Sequence, residues 1–222
     1  MFPISDVIPS RTPPVVTVAI IVVNALIFLY QLTLPEPALQ LFVGAYAVVP
    51  AHFHPATLIT SQFLHGGVLH VGGNMLYLWI FGDNVEDRLG HVRYLVFYLL
   101  CGAFAAGAQT YIKAESLVPM IGASGAISGV LGAYIVLFPH SRVLTIVPII
   151  FFIQLLEVPA VVLLGLWFLM QLLSGVGSLG ERADVGGVAF WAHVAGFVAG
   201  LGFVYVFKQP ERQKVEWWDG VR

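Results

Sequence analysis

The stretch Gly122-Ala123-Ser124-Gly125-Ala126 places one hydroxyl group among small residues at the start of a long apolar run. A single histidine, His193, stands inside a second apolar run further along the chain. Both runs are apolar enough to predict membrane-spanning helices, in which polar and ionisable side chains are costly and usually functional. The two segments therefore predict a membrane protein with a chemical site among its helices.

The composition extends this prediction to the whole chain. Of the 222 residues, 59% are hydrophobic and only 10% are charged, and the mean hydropathy is +0.89. A soluble domain carries about 25% charged residues, so the apolar surface of this chain matches lipid as well as a core. The net charge of −2 excludes the basic surface that a nucleic-acid partner requires. The single cysteine, Cys101, excludes an internal disulfide.

Hydropathy predicts an all-α membrane protein with six spanning helices, since each span takes roughly 20 apolar residues. The predicted spans are 15–34, 68–81, 92–111, 124–138, 157–173 and 189–207. Proline, glycine and histidine interrupt residues 38–67, which are predicted to form a long first outer loop lying partly in the membrane interface. Residues 143–154 are predicted to be interfacial or packed against the bundle.

The basic residues predict the orientation of the six spans. An even number of spans places both termini on one side, and the opposite side then carries only Lys113 and Arg182. The side with the termini carries Arg11, Arg88, Arg93, Arg142, Lys208, Arg212, Lys214 and Arg222. Because cytoplasmic loops hold the excess of lysine and arginine, both termini are predicted to be cytoplasmic. The predicted organisation is a cytoplasmic segment 1–14, a six-helix membrane domain 15–207 and a cytoplasmic tail 208–222.

On this topology four polar side chains from three helices share one depth near the outer surface: Ser124, His193, His70 and Asn74. A serine hydroxyl is a weak nucleophile unless a neighbouring base takes its proton, and neutral histidine is the usual base near pH 7. Glu157 is predicted at the opposite end of its helix, so no carboxylate completes a triad. We therefore expect a Ser–His dyad in which packing orients His193.

Acyl transfer also requires donors for the developing oxyanion. His70 and Asn74 are four residues apart, so their side chains leave one face of a helix. The backbone N–H of Ser124, at a predicted helix N-terminus, supplies a further donor. These three groups are the predicted oxyanion-stabilising set.

Small residues predict how the serine and histidine meet. Gly125, Gly129 and Gly132 lie on the predicted fourth helix, and Gly196 and Gly200 lie on the sixth. Their spacing allows the two backbones to approach closely. His193, Gly196 and Gly200 share a face, and contact of that face with the fourth helix would bring the imidazole to Ser124.

Taken together, these motifs resemble the rhomboid family of intramembrane serine proteases. The resemblance rests on the Ser124 stretch, on His70-Val71-Gly72-Gly73-Asn74, on A-H-x-x-G-F-x-x-G at 192–200 and on the charged turn at 86–90. It implies a six-helix rhomboid bundle with Ser124 as nucleophile, His193 as base and His70, Asn74 and the Ser124 amide at the oxyanion. It also implies that Gly122 shapes the approach to Ser124.

The resemblance also implies partners and surroundings. It implies substrates that are transmembrane proteins cut near the outer end of their helix, a lipid bilayer as the medium, and no cofactor. A bacterial inner membrane is the expected location, and neither substrate nor oligomeric state can be read from the chain. Bacterial rhomboids often carry an aromatic residue four positions after the serine, under the histidine ring, where this chain has Ser128.

Alternatives stand beside each of these interpretations. Singly, Ser124, His193 and Asn74 could be a backbone-bonded hydroxyl, a core histidine and a contact between helices. His52, His54, His65 and His70 lack an accompanying carboxylate and the H-E-x-x-H pattern, so no metal site is predicted. A catalytically inactive rhomboid-like protein that binds membrane helices is the second function considered. A channel or transporter is the third, and it would require ionisable residues along a path.

Overall fold

The chain is mostly helical, with a small sheet at one end of its long helices. The computed structural model describes residues 2–149, 152–180 and 187–210. In chain order the elements are β1 (Phe2–Asp6), α1 (Val15–Thr33), α2 (Glu36–Tyr46), α3 (Thr57–Thr60), α4 (Val68–Leu89), α5 (His91–Ile112), α6 (Ser124–Leu137), β2 (Arg142–Ile149), β3 (Phe152–Pro159), α7 (Ala160–Gly177) and α8 (Phe190–Phe207). Arg182 and most of the predicted tail, 211–222, lie outside the described residues.

Four helices of the described chain are long and apolar enough to cross a membrane: α1, α5, α7 and α8. The helix α6 is apolar but shorter, with 14 residues. The helix α4 has 22 residues, and its polar side chains, among them His70, Asn74 and Asp83, make it less apolar than these four. The protein is thus a membrane protein with several apolar helices.

The helix α6 lies at the centre of the helical core, packed against α4, α5 and α8. Every residue from Ala126 to Tyr134 is buried, so this helix is surrounded by protein and needs less length than a lipid-facing span. Its closest neighbour is α8. A Cβ atom on Gly196 or Gly200 would overlap the carbonyl oxygen of Gly125 or Gly129, respectively, so the two backbones touch where only glycine fits.

A buried carboxylate fastens α1 to α4. Glu86, only 1% exposed, accepts hydrogen bonds from the backbone amides of Val16 at 2.9 Å and Thr17 at 2.7 Å. These amides belong to the first turn of α1, where no intrahelical acceptor exists and the helix dipole favours a negative charge. Glu86 therefore caps a helix that is distant from it in sequence.

The three-stranded sheet corrects the prediction of an all-α fold. The strands β2 and β3 form an antiparallel hairpin, and β1 pairs with the other edge of β2. Residues 143–154, expected to be interfacial or packed, belong to this hairpin instead of to helix or loop. The β-branched alternation of Val143, Thr145 and Val147 suits a pleated strand, and Pro148 cannot donate a helical hydrogen bond.

The same hairpin moves the start of the fifth predicted span. Glu157 lies in β3 opposite Leu144, and α7 begins only at Ala160, directly after Pro159.

The predicted first outer loop also holds more regular structure than expected. Its first part is the 11-residue helix α2, which begins with proline in its first turn and has no buried residue.

The N-terminal strand docks near the C-terminal ends of α4 and α6. Tyr134 of α6 donates a hydrogen bond to Asp6 Oδ2 at 2.6 Å, and the Asn84 amide of α4 donates to the same oxygen at 2.8 Å. Burial raises the pKa of the Asp6 carboxyl to about 6, although the Tyr134 bond opposes the rise. The predicted N-terminal segment 1–14 is therefore tied to the helices by its strand.

Candidate active site

The structure brings Ser124 and His193 into direct contact. Ser124 is the first residue of α6, and His193 lies in the first turn of α8. The distance between His193 Nε2 and Ser124 Oγ is 2.7 Å, a normal hydrogen bond. The glycine contacts between the two helices create this proximity, because they bring both backbones together one turn further along. The pair can transfer a proton from hydroxyl to imidazole.

The other imidazole nitrogen contacts a residue that the sequence analysis missed. Gln171 of α7 lies with its Oε1 atom 2.8 Å from His193 Nδ1. One turn earlier on the same helix, the Trp167 ring lies 5.9 Å from the imidazole between centroids, with 34° between the planes. We expected packing, instead of a carboxylate, to orient His193; the structure adds to that packing a hydrogen bond with the Gln171 amide oxygen and an aromatic contact with Trp167.

A signal for Gln171 was present in the sequence. It is an amide side chain inside an apolar helix, four residues after a tryptophan. The rule that intramembrane polar residues are usually functional singled out Asn74, and it applies equally to Gln171. Ser128, which stands where bacterial rhomboids often have an aromatic residue, donates its hydroxyl to the Ser124 carbonyl at 2.6 Å.

His70 and Asn74 converge on the segment that precedes Ser124. The backbone N–H of Gly66 donates to His70 Nδ1 at 3.3 Å, so His70 Nε2 carries the proton of the neutral ring. That nitrogen faces Gly122, since a Cβ built there would lie 2.7 Å from it and 3.7 Å from Asn74 Nδ2. The Asn74 amide nitrogen is buried and has no hydrogen-bond partner among the described residues.

Backbone hydrogen bonds hold this segment in place. Gly122 has φ +124°, a conformation that favours glycine, and its N–H donates to the Ser61 carbonyl at 2.9 Å. Val48 and Met120 exchange two hydrogen bonds at 3.1 and 2.8 Å. The first loop is thus attached to the turn that leads into Ser124. Two N–H donors, His70 Nε2 and Asn74 Nδ2, consequently lie beside Gly122, two residues before Ser124.

These groups open into a cavity of about 710 Å³. Its lining includes Ser124, His193, His70, Asn74, Trp167 and Lys113. The Lys113 ammonium donates to the Ser178 carbonyl at 2.7 Å. Among the described residues no three His, Cys, Asp or Glu side chains are placed to hold a metal ion. The cavity has the size of a site for a short stretch of extended peptide or a similar ligand.

The fold and the site together define a membrane protein with a serine–histidine pair at the head of a cavity between helices. A sequence model of the rhomboid domain matches residues 52–210, well over half of the chain. The chain therefore belongs to the rhomboid family, as its motifs predicted.

Relatives of this chain come from mitochondria and from a bacterium. It is 28% identical over 204 residues to "Rhomboid protein 1, mitochondrial" of Saccharomyces cerevisiae. This match covers 88% of this chain and 54% of the relative. It is 28% identical over 170 residues to "Presenilin-associated rhomboid-like protein A, mitochondrial" of Danio rerio, covering 72% and 43%. A shorter stretch of 76 residues is 42% identical to "Rhomboid protease GluP" of Bacillus subtilis, covering 34% and 14%.

The chain spans about half the length of the two mitochondrial relatives. Because relatives come from both settings, they do not favour the expected bacterial membrane over a mitochondrial one.

Proposed function

We propose that this protein is a serine endopeptidase that cuts membrane proteins within the bilayer, with Ser124 as nucleophile and His193 as base. The observation that carries the proposal is the 2.7 Å contact between Ser124 Oγ and His193 Nε2 at the head of the cavity. Membership in the rhomboid family and the similarity to a relative named as a protease support it.

In the proposed reaction, Ser124 Oγ attacks the carbonyl carbon of the substrate while its proton passes to His193 Nε2. His70 Nε2, the Asn74 amide and the Ser124 backbone N–H donate to the resulting oxyanion. The imidazolium then gives its proton to the leaving amine, and an acyl-enzyme remains. Water next loses a proton to His193 and attacks the ester; the imidazolium then returns that proton to Ser124 Oγ as the acid leaves, which restores the serine and the neutral histidine.

We further propose that α1, α4, α5, α6, α7 and α8 form a six-helix membrane domain with both termini in the cytoplasm. The distribution of lysine and arginine supports this orientation. The cavity then opens toward the outer side, from which water reaches Ser124. A transmembrane substrate would enter between α4 and α7, as the family resemblance implies, and its helix would unwind beside Ser124. Gly125, Gly196 and Gly200 serve this site by allowing α6 and α8 to touch, and Gly122 leaves room for the His70 side chain beside Ser124.

The test is cleavage of a fluorogenic transmembrane peptide in liposomes. Wild-type protein is expected to cleave it, whereas Ser124→Ala and His193→Ala are expected to lose activity. Ser174→Ala, which removes an exposed hydroxyl of α7, is the matched control and should retain it. Cleavage that survives Ser124→Ala would overturn the proposal.

A non-catalytic protein that binds membrane helices would give a different result. Wild-type protein would then bind the peptide without cutting it and would not react with a fluorophosphonate, a reagent that labels activated serines. The Ser124–His193 contact favours the enzyme, because helix binding alone gives no reason to align a hydroxyl with an imidazole.

A further inference from the structure

The His193 ring lies between two hydrogen-bonding groups. On one side is Ser124 Oγ, 2.7 Å from Nε2, and on the other is Gln171 Oε1, 2.8 Å from Nδ1. A neutral imidazole carries one proton on one of these two nitrogens, and the other nitrogen accepts a hydrogen bond. If Gln171 holds the proton on Nδ1, Nε2 is left free to accept the proton of Ser124.

Two tautomers are possible, and only one suits a base. If Nδ1 carries the proton, it donates to Gln171 Oε1, and Nε2 keeps the lone pair that accepts the Ser124 proton. If the amide turned over, its NH₂ group would donate to Nδ1, and the proton would sit on Nε2, which could not act as a base. The oxygen of Gln171 faces Nδ1, which selects the productive tautomer.

The surroundings explain why an amide occupies this position. An ionised carboxylate in an apolar region is expensive unless it is paired. A neutral amide supplies the acceptor oxygen without that cost. Among the described residues the lining of the cavity contains no Asp or Glu. The amide therefore does the tautomer-selecting part of the work that an aspartate does in a serine–histidine–aspartate triad.

Trp167 completes the support from α7. It precedes Gln171 by four residues, so both side chains leave one face of the helix. The tryptophan ring lies beside the imidazole and limits its rotation, while the amide fixes its protonation. The two contacts restrict different movements of the same ring.

We propose that Gln171 is a positioning residue, which holds His193 in the tautomer and orientation that accept the Ser124 proton. This inference rests on the proposed function. It predicts that Gln171→Met, which keeps the length and removes the acceptor, lowers kcat by about 10- to 100-fold, the range that one charge-assisted hydrogen bond supports. KM should stay unchanged, because Gln171 is not among the residues that line the cavity. Gln171→Glu restores an acceptor oxygen and should recover most of the lost activity.

The control variants are Met170→Ala and Leu173→Ala. Both side chains are exposed on α7, at 57% and 63%, and both should leave kcat as in wild type. A fall in kcat for these variants equal to that of Gln171→Met would overturn the proposal, since α7 packing alone would then explain the loss.

The second measurement is the tautomer itself, by ¹⁵N NMR of histidine-labelled protein, with His193→Ala used to assign the signals. Wild type should show a protonated Nδ1 and an unprotonated Nε2 at His193, and Gln171→Met should show a mixture of tautomers. An unchanged tautomer in Gln171→Met would overturn the proposal. This readout does not require turnover, so a wild-type protein that neither cleaves peptide nor reacts with a fluorophosphonate would refute the proposed function and leave the role of Gln171 to be decided by the spectrum.

Discussion

At the scale of single residues, Asn74 has an N–H donor that no acceptor satisfies in the described part of the structure. Its amide nitrogen is buried and has no hydrogen-bond partner among the described residues, and such a group costs free energy. The Asn74 amide lies near Gly122, and Gly122 belongs to the turn that leads to Ser124. A negative oxygen forming beside Ser124 would supply the missing acceptor, so the cost would be recovered in the transition state.

Asn74→Ala is therefore expected to lower kcat by a factor that corresponds to about 2.7 kcal/mol, the lower end for one oxyanion donor, because His70 and the Ser124 amide remain. Peptide cleavage in liposomes measures this loss. Leu76→Ala, an exposed position on the same helix, is the control and should keep wild-type kcat. A rise in KM with unchanged kcat in Asn74→Ala would contradict the assignment to the oxyanion.

At the scale of secondary-structure elements, the contact between α6 and α8 depends on glycines that have no substitute. A Cβ on Gly200 would overlap the Gly129 backbone, whereas a Cβ on Gly202, two residues further along α8, meets nothing within 4 Å. The two positions form a matched pair. They separate the effect of helix contact from the general effect of glycine on helix stability, which favours alanine by about 1 kcal/mol.

Gly200→Ala is expected to push α8 away from α6, to lengthen the Ser124–His193 contact and to abolish most cleavage. Gly202→Ala should leave cleavage unchanged and the helix no less stable. The measurements are the peptide assay and the thermal unfolding temperature in detergent. Equal effects of the two substitutions would show that backbone contact at Gly200 is not what aligns the site.

The elements also show which features the sequence could predict. Hydropathy located α1 and α8 within one residue at each end, because long apolar runs bounded by proline or polar residues define their own limits. The hairpin of β2 and β3 was missed because an apolar run has no period that separates a buried strand from a helix. The pairing of β1 with β2 joins residues far apart in the chain, so a local sequence pattern could not predict it.

The candidate site also has residues that the sequence predicted and one that it did not. Motif spacing and small residues indicated that Ser124, His193, His70 and Asn74 would lie together, and the structure brings them together. Gln171 was missed because it belongs to none of the motifs, and a lone amide in an apolar run does not by itself show which side chain it contacts. Orientation of the imidazole is a tertiary property, whereas the motifs alone were enough to select Ser124 and His193 as the candidate nucleophile and base.

At the scale of the whole molecule, the site and the sheet lie at opposite ends of α6. Ser124 is its first residue, and Tyr134, which binds Asp6 of β1, comes ten residues later, about 15 Å along a helix. The strand therefore braces the C-terminal end of the helix whose first residue is the proposed nucleophile, Ser124. On the proposed topology this sheet faces the cytoplasm, where pH can act on it.

The raised pKa of Asp6 gives the docking of β1 a defined pH dependence. Its carboxyl has a pKa of about 6 in the folded chain against 3.8 for an aspartate in water, with burial as the largest cause. The docked strand thus binds a proton more tightly than the free strand does. The resulting stabilisation is fully present below pH 4 and is lost as the pH rises through 6. Docking of β1 is therefore expected to be tighter at pH 5 than at pH 7.5.

Hydrogen-exchange protection of the β1 amides, corrected for the intrinsic rate at each pH, measures this docking. Asp6→Asn mimics the protonated acid, so its protection should not change between pH 5 and pH 7.5. Glu157→Gln, which alters an exposed carboxyl in the same sheet, should keep the pH dependence of the wild type. Constant protection of the wild-type strand across this range would show that Asp6 stays ionised when docked, with Tyr134 and Asn84 compensating for its burial.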